Sequence, residues 1–148
     1  MRFIQIITGI TVSFSLMACS TVRGYAGPAL PDSETALVTA NSVPDLWIGI
    51  SVSGTRISHD LRLLPGYRCV NVEVSTGSTN WYGGAGRRGR EFELCFEANA
   101  GKTYEVKGLL SCNVPERRGR CRPGNLRIQT PRIEDAETGE VLDVKEAT

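Results

Sequence analysis

The chain is poor in histidine and in net charge, and each shortage excludes a class of function. Its 148 residues contain one histidine, His59, which leaves little room for a histidine metal cluster or a catalytic triad. Seventeen Lys and Arg residues oppose 16 Asp and Glu residues, and this near balance argues against a protein whose main task is binding nucleic acid. The length fits one domain, and an apolar content of 41% can supply a core.

Several catalytic and metal-binding motifs are also missing. The sequence has no Gly-rich phosphate loop ending in Lys-Ser/Thr, no Gly-x-Ser-x-Gly elbow, no EF-hand pattern and no Cys-x-x-Cys pair. The one histidine–carboxylate neighbourhood is His59-Asp60, and it fits an exposed turn better than a catalytic base. Three serines lie near it: Ser51, Ser53 and Ser58. The sequence therefore predicts no enzyme, no metal and no bound cofactor.

An uncharged apolar run follows Arg2 and extends over residues 3–17. The run is shorter than the roughly 20 residues that a membrane-spanning helix needs, and it predicts a secretory signal peptide. The run ends in Leu16-Met17-Ala18-Cys19. An ordinary signal peptidase requires small residues one and three positions before the cut. Ala18 meets this requirement, whereas Leu16 does not.

Leu-x-Ala-Cys at the end of such a run resembles the lipobox of bacterial lipoproteins. The resemblance implies a diacylglyceryl group on the Cys19 thiol, cleavage of residues 1–18 as a signal peptide, and acylation of the new amino group. Several acyl chains give durable anchoring, at about 0.8 kcal/mol per buried CH₂. Ser20, where some lipoproteins have Asp, implies sorting to the outer membrane. The alternative for Cys19 is a buried or paired thiol.

Cleavage after Ala18 leaves 130 of the 148 residues, with bases and acids balanced at 16 each. Residues 19–35 are predicted to form the lipidated N-terminus and a flexible tether, because they contain several Gly and Pro residues and no helix or strand periodicity. Some 15 extended residues would reach about 50 Å and lift a domain clear of the lipid. The alternative is that part of this stretch packs on the domain, with Tyr25 as its anchor.

Residues 36–148 have the pattern of an all-β domain. Short apolar or alternating segments are separated by turn-forming pairs that contain glycine or proline, and no segment has helical periodicity. The predicted strands are 36–40, 46–52, 69–74, 91–97, 103–107, 126–130 and 141–144. Glu91, Glu93 and Glu97 fit the solvated face of a strand. The pattern predicts a small antiparallel β-sandwich.

Four cysteines remain after Cys19, and a secreted location favours disulfides over free thiols or zinc. Cys69 and Cys95 each lie on the polar face of an alternating strand, so they can pair across an antiparallel hairpin. In this register the numbers of opposed residues add up to 164, and the turn falls near Tyr82. The register also places Glu73 opposite Glu91, a like-charge pair. The second predicted bridge joins Cys112 to Cys121 and closes the loop between them.

Two segments rich in glycine and arginine, residues 83–90 and 115–122, are the candidate binding elements. Hairpin loops can gather at one end of a sandwich, and the arginine side chain suits bidentate contact with phosphate or carboxylate. The candidate anion-binding residues are Arg87, Arg88, Arg90, Arg117, Arg118, Arg120 and Arg122, with Trp81 and Tyr82 for stacking. The predicted partner is an anionic glycan, lipopolysaccharide or an acidic envelope protein. The alternative is a pair of solvated loops that keep sheet edges soluble.

The segment Tyr25-x-Gly-Pro-x-Leu-Pro-x-x-Glu-x-Ala36, after a lipobox, resembles small, functionally uncharacterised bacterial lipoproteins of the outer membrane. Residues 63–74, 96–104 and 133–141 resemble elements of small periplasmic immunoglobulin-like or transthyretin-like domains. The resemblance implies lipid attachment and a β-sandwich and brings no catalytic residues. The resulting hypothesis is a non-catalytic binding or structural module, anchored by lipid in the bacterial outer membrane and facing the periplasm. The alternative is an inhibitor or accessory subunit of an envelope protein complex.

Overall fold

The protein folds as two β-sheets that enclose a common core, which confirms the predicted sandwich. The computed structural model describes residues 21–43, 46–76, 88–112 and 126–146. In strand order, the five-stranded sheet contains β1 (Val22–Arg23), β4 (Asp60–Leu63), β2 (Ala36–Ala40), β7 (Thr103–Cys112) and β8 (Leu126–Asp135). The four-stranded sheet contains β3 (Trp47–Ser51), β5 (Gly66–Thr76), β6 (Arg88–Ala98) and β9 (Lys145–Glu146).

Most neighbouring strands in the two sheets are antiparallel, but two pairs are parallel. β1 runs parallel to β4, and β2 runs parallel to β7. After β2 the chain crosses to the other sheet at β3 and comes back as β4 on one side of β2. It reaches the other side of β2 only at Thr103, so β2 and β7 are not joined by a hairpin. Alternating residues reveal that a segment is a strand but carry no information on such distant partners.

The core consists of the inward-facing residues of the two sheets. Alternation along β5 and β6 directs valines, phenylalanines and leucine inward, and the fully buried ones include Val70, Val72, Val74, Leu94 and Phe96. The Tyr104 ring packs edge-on against Phe96 at 5.2 Å. Its hydroxyl oxygen accepts a hydrogen bond from the Asn99 N–H at 2.9 Å, so this buried tyrosine has a polar partner.

Gly108 allows β7 to pack closely against the opposite sheet. A Cβ atom at this position would collide with the side chain of Leu46 and crowd that of Ile48. The register of β7 with β8 also shifts between Lys107 and Leu109. A glycine inside a strand commonly marks such an irregularity or a close approach, and here it marks both.

The β5–β6 hairpin has the register that the cysteine positions predict. Cys69 lies opposite Cys95, and the two form a disulfide with a Cα–Cα distance of 4.0 Å. Val70 faces Leu94, and the like-charge pair of Glu73 and Glu91 is present as expected. Within the hairpin, the predicted turn near Tyr82 lies outside the described residues.

The prediction of a strand at 141–144 is wrong, because the last strand of the structure, β9, lies at Lys145–Glu146. Val141 makes one isolated bridge to Glu134, and the strand that joins the four-stranded sheet is β9, opposite Leu94 and Cys95. Two short strands, β1 and β4, were not predicted at all, because two to four residues are too few to establish an alternation.

The N-terminal stretch predicted as a tether contacts the domain from Val22 onward. Val22 lies opposite Leu61 in the parallel pair of β1 and β4, and the Gly24 N–H donates to the Arg62 carbonyl at 2.8 Å. Asp32, in a single 3₁₀ turn, forms an ion pair of 2.8 Å with Arg62. The Tyr25 hydroxyl accepts a hydrogen bond from Leu30 N–H and so organises the segment itself. Residues 22–24 and 32–35 therefore pack on the sandwich, which is the alternative that the sequence left open.

Candidate anion-binding end

The two hairpins that carry the arginine segments open at the same end of the sandwich. Segment 77–87 joins the last residue of β5 to the first of β6, and segment 113–125 joins the last residue of β7 to the first of β8. The Arg90 guanidinium donates to the Ile128 carbonyl at 3.1 Å, and each of these residues is the third of its strand. This contact between the two sheets brings the strand ends together. We call this region the arginine end.

Among the predicted anion-binding residues, Arg90 is the one whose side chain the structure describes. It is exposed, and its guanidinium carbon lies 4.9 Å from the centroid of the Phe92 ring. The ring and the Ile128 carbonyl together fix the guanidinium at the mouth of the sandwich. Because a guanidinium has five N–H donors, one bond to a carbonyl leaves further donors for an anion.

Arg127 is a cation at this end that sequence reasoning missed. It lies opposite Ser111 in the β7–β8 pair and is exposed. Its position just after the second arginine segment was the available signal. Because it falls inside the predicted strand 126–130, the sequence pattern assigns it to the sheet and not to the loop.

Most of the other predicted site residues lie outside the described residues. Arg88 is described only as the first residue of β6, where it pairs with Thr76. Cys112 is disulfide-bonded, but its predicted partner is outside, so the pairing with Cys121 stays a prediction. The others outside the described residues are Cys19, Trp81, Tyr82, Arg87, Arg117, Arg118, Arg120, Cys121 and Arg122.

The opposite end of the five-stranded sheet carries acidic residues. Asp135, the last residue of β8, accepts hydrogen bonds from the backbone N–H groups of Glu137 and Thr138 at 2.9 and 3.0 Å. These bonds, first that of Thr138, and the charge of Lys102 lower the Asp135 pKa. Lys102 also donates to Glu137 at 2.8 Å, and this hydrogen bond raises the lysine pKa. Ten residues of β8 separate this cluster from the arginine end, a distance of about 30 Å.

A second charged cluster lies on the outer face of the five-stranded sheet. Glu134 forms ion pairs with Lys107 at 2.7 Å and Arg132 at 2.6 Å. The hydrogen bond from Lys107 is the main cause of a lowered Glu134 pKa, and Arg132 adds to it. The hydrogen bond with Glu134 in turn raises the Lys107 pKa. The Lys107–Glu134 pair is a cross-strand pair of the kind that stabilises a sheet, and together with the Arg132–Glu134 pair it explains these charges without a ligand.

We expect acid to destabilise the protein through Glu134 and Asp135. Both have lowered pKa values in the folded protein. The stability they contribute is therefore fully present above the ordinary carboxyl pKa of about 4 and is lost as the pH falls through the lower folded values. Urea unfolding of Glu134→Gln/Asp135→Asn, which keeps the side-chain sizes and one acceptor oxygen on each, should show a weaker pH dependence in this range than the wild type. Glu140→Gln is the exposed control, and equal slopes for both variants and the wild type would contradict the assignment.

The outer face of the four-stranded sheet differs from that of the five-stranded sheet, because its glutamates form no ion pair with a described base. Glu73 and Glu91 stand opposite each other, Glu93 stands opposite Asn71, and Glu97 opposite Tyr67. No Lys or Arg within the described ranges forms an ion pair with these four glutamates. The molecule therefore has an acidic sheet face and an arginine end within one nearly neutral chain.

His59, the single candidate for a catalytic base, is exposed and lies edge-on to Trp47 at a centroid distance of 5.9 Å. The neighbouring Ser58 hydroxyl donates to the Asp60 carbonyl at 2.9 Å and accepts from the Asp60 N–H. This serine therefore organises the turn before β4.

In the part of the chain that the structure describes, no group of three or more His, Cys, Asp or Glu residues is arranged to hold a metal ion. The same ranges contain no helix of the length and hydrophobicity needed to cross a membrane. No family model, no curated protein and no solved structure matches the chain. The geometry of the arginine end and the sequence of the N-terminus are thus the observations on which a function can be argued.

Proposed function

We propose that this protein is a lipid-anchored module of the bacterial cell envelope that binds anions through its arginine end and performs no catalysis. The anchor is the lipid on Cys19, and the domain faces the periplasm from the outer membrane. The ligand is a phosphate- or carboxylate-bearing component of the envelope, such as lipopolysaccharide or an anionic glycan. The observation that supports the proposal is the hydrogen bond from Arg90 to the Ile128 carbonyl. It joins the starts of β6 and β8, the strands that follow segments 77–87 and 113–125.

The distribution of charge supports this assignment of the binding end. Arg90 and Arg127 are exposed there, and the two segments contain six more arginines, which lie in or next to the same strand ends along the chain. One acid, Glu116, lies within the second segment, whereas Asp135 and Glu137 are held by Lys102 at the far end of β8. An anion that approaches the arginine end therefore meets positive charge that is not already paired with these carboxylates.

Charge reversal at four positions tests the proposal. Arg87→Glu, Arg88→Glu, Arg117→Glu and Arg118→Glu, combined, should weaken binding to lipopolysaccharide and to isolated sacculi by at least about tenfold, because repulsion replaces charge-assisted hydrogen bonds. The stability to urea should remain close to that of the wild type. Equilibrium binding of the lipidated protein in detergent at low and high salt is the measurement.

The same four positions changed to lysine provide the matched control. The lysine variant keeps the charge and should retain most of the binding, whereas Lys145→Glu changes a base on the distant strand β9 and should have little effect. Binding that persists in the four-glutamate variant would contradict the proposal. Recovery of one stoichiometric acidic protein from crosslinked envelopes, with no binding to sacculi or lipopolysaccharide, would instead favour the inhibitor or accessory-subunit alternative.

A further inference from the structure

An exposed apolar patch lies on the edge of the four-stranded sheet at β3. Trp47 is 38% exposed and Ile57 is 48% exposed. Both side chains occupy the space over Gly49, where an added Cβ atom would collide with each of them. The His59 ring contacts Trp47 edge-on. We call Trp47, Ile57 and His59 the Trp47 patch.

The Trp47 patch is close to the place where the N-terminal segment meets the domain. His59 immediately precedes β4, and β4 pairs with β1 so that Val22 stands opposite Leu61. Because β1 and β4 are parallel, Thr21, the residue before Val22, lies at the same end of the sheet as His59. The described chain therefore begins at the end of the sheet where the Trp47 patch lies.

The spacer between the proposed lipid and the sandwich is very short. Only Ser20 and Thr21 separate Cys19 from β1. Three residue steps extend over about 10 Å at most. Lipid on Cys19 would therefore hold β1 and the adjoining patch at the level of the lipid headgroups. This step rests on the lipidation of Cys19 that the proposed function includes.

We propose that the Trp47 patch is a membrane-contact site that seats the domain on the same lipid surface that holds the Cys19 anchor. Tryptophan favours the headgroup level of a bilayer, where its ring is in apolar surroundings and its N–H stays hydrated. The contact can be individually weak, because the anchor already keeps the patch at a high local concentration beside the lipid.

The acidic sheet face limits how the domain can sit on this surface. Glu91, Glu93 and Glu97 are exposed on the outer face of β6, and anionic lipid would repel them. A fourth acid of this face, Glu73, lies nearest to the patch, because it stands opposite Gly49. The seated domain therefore touches lipid with the end that holds Trp47 and keeps the rest of this face in water.

Tryptophan quenching in proteoliposomes tests the contact. Trp81→Phe leaves Trp47 as the single tryptophan of the mature full-length lipoprotein. Vesicles of phosphatidylethanolamine and phosphatidylglycerol with bromine on the upper acyl-chain carbons should quench Trp47 fluorescence roughly twofold, as expected for a ring at the interface. Access of aqueous acrylamide to Trp47 should fall in parallel.

A reporter on the same sheet face supplies the control. Tyr67 is 56% exposed and is eight residues along β5 from Ser75, which pairs with Trp47. The combination Trp47→Phe, Trp81→Phe and Tyr67→Trp therefore places a tryptophan roughly 25 Å from the patch, and brominated lipid should leave it unquenched.

The outcomes separate this inference from the proposed function. Lipidated protein that floats with the vesicles while Trp47 remains unquenched would overturn the membrane contact and leave the anchor intact. Protein that carries no lipid and does not float would overturn the anchor and the contact together. Equal quenching at both reporters would also overturn the inference, because it would show that lipid contact is not specific to the Trp47 patch.

Discussion

Cys19→Ser is expected to abolish lipid attachment and to leave residues 1–18 on the chain. The thiol of Cys19 is the group that would receive the diacylglyceryl unit, and in lipoproteins with a lipobox the cut before the cysteine follows that modification. The intact mass of the wild type should therefore correspond to residues 19–148 plus acyl groups. The variant should instead have the unmodified mass of the full chain.

The same residue should decide whether the mature domain stays on the membrane. When residues 1–18 are replaced by an ordinary secretory signal peptide and Cys19 by Ser, the ratio of membrane-bound to free protein should fall by at least about 100-fold. Several acyl chains are lost, and each buried CH₂ contributes about 0.8 kcal/mol. Ser20→Ala is the matched control. It should leave both the cleavage and acylation seen in the intact mass and the ratio of membrane-bound to free protein unchanged. Acylated protein in the Cys19→Ser variant would contradict the assignment of the anchor.

The combination Cys69→Ala/Cys95→Ala is expected to lower the free energy of unfolding by about 3 kcal/mol, because the bridge closes a loop with a sequence separation of 26 residues in the unfolded chain. A loss of this size is a large fraction of the stability of a small domain. Urea unfolding under oxidising conditions measures it directly.

A valine pair separates the cross-link from side-chain packing. Cys69→Val/Cys95→Val places two β-branched residues at opposed positions of the same hairpin, where such pairs favour strand structure. If the covalent bond is the source of stability, the valine pair should remain nearly as unstable as the alanine pair. An alanine pair within about 0.5 kcal/mol of the wild type would contradict the role of the disulfide, since typical losses are several times larger.

The β5–β6 hairpin was predictable because two independent patterns agreed. Strict alternation gave the inward set Val70, Val72 and Val74, and the two cysteines supplied one fixed pair from which every other pair followed. The short apolar run at 36–40 and the segment 103–107 likewise predicted β2 and the start of β7. Local pattern is sufficient where a strand is long, amphipathic and paired with its neighbour in sequence.

The features that sequence reasoning missed depend on distant partners or on very short elements. β1 has only two residues and is a strand because it pairs with β4, which would otherwise be the edge strand of the sheet. The parallel pair of β2 and β7 joins segments more than 60 residues apart, for which neither strand contains a signal. The hydrogen bond between Arg90 and Ile128, which shows that the two hairpins end at the same place, likewise could not be predicted from sequence, because it joins strands of different sheets. The gathering of the arginine segments was therefore a hypothesis from sequence, and the supporting contact came from the fold.

In the fold, the charges that nearly cancel in the whole chain are distributed unevenly over the molecule. Lys102, Lys107 and Arg132 are engaged with carboxylates of β8 and the turn after it, whereas exposed Arg90 and Arg127 lie at the other end. A protein with this separation can bind an anion at one end without being attracted to polyanions along its whole surface.

Chemical-shift mapping of the lipidated protein in detergent micelles, during titration with lipopolysaccharide, tests the central claim most directly. The account predicts that the largest amide shifts occur at the arginine end, at Gly89, Arg90, Arg127 and Ile128, and that they diminish as added salt screens the charges. The amides of Lys102, Asp135 and Glu137, at the opposite end, should remain unchanged. Shifts confined to that opposite end, or the absence of shifts at the arginine end during saturable binding, would contradict the account.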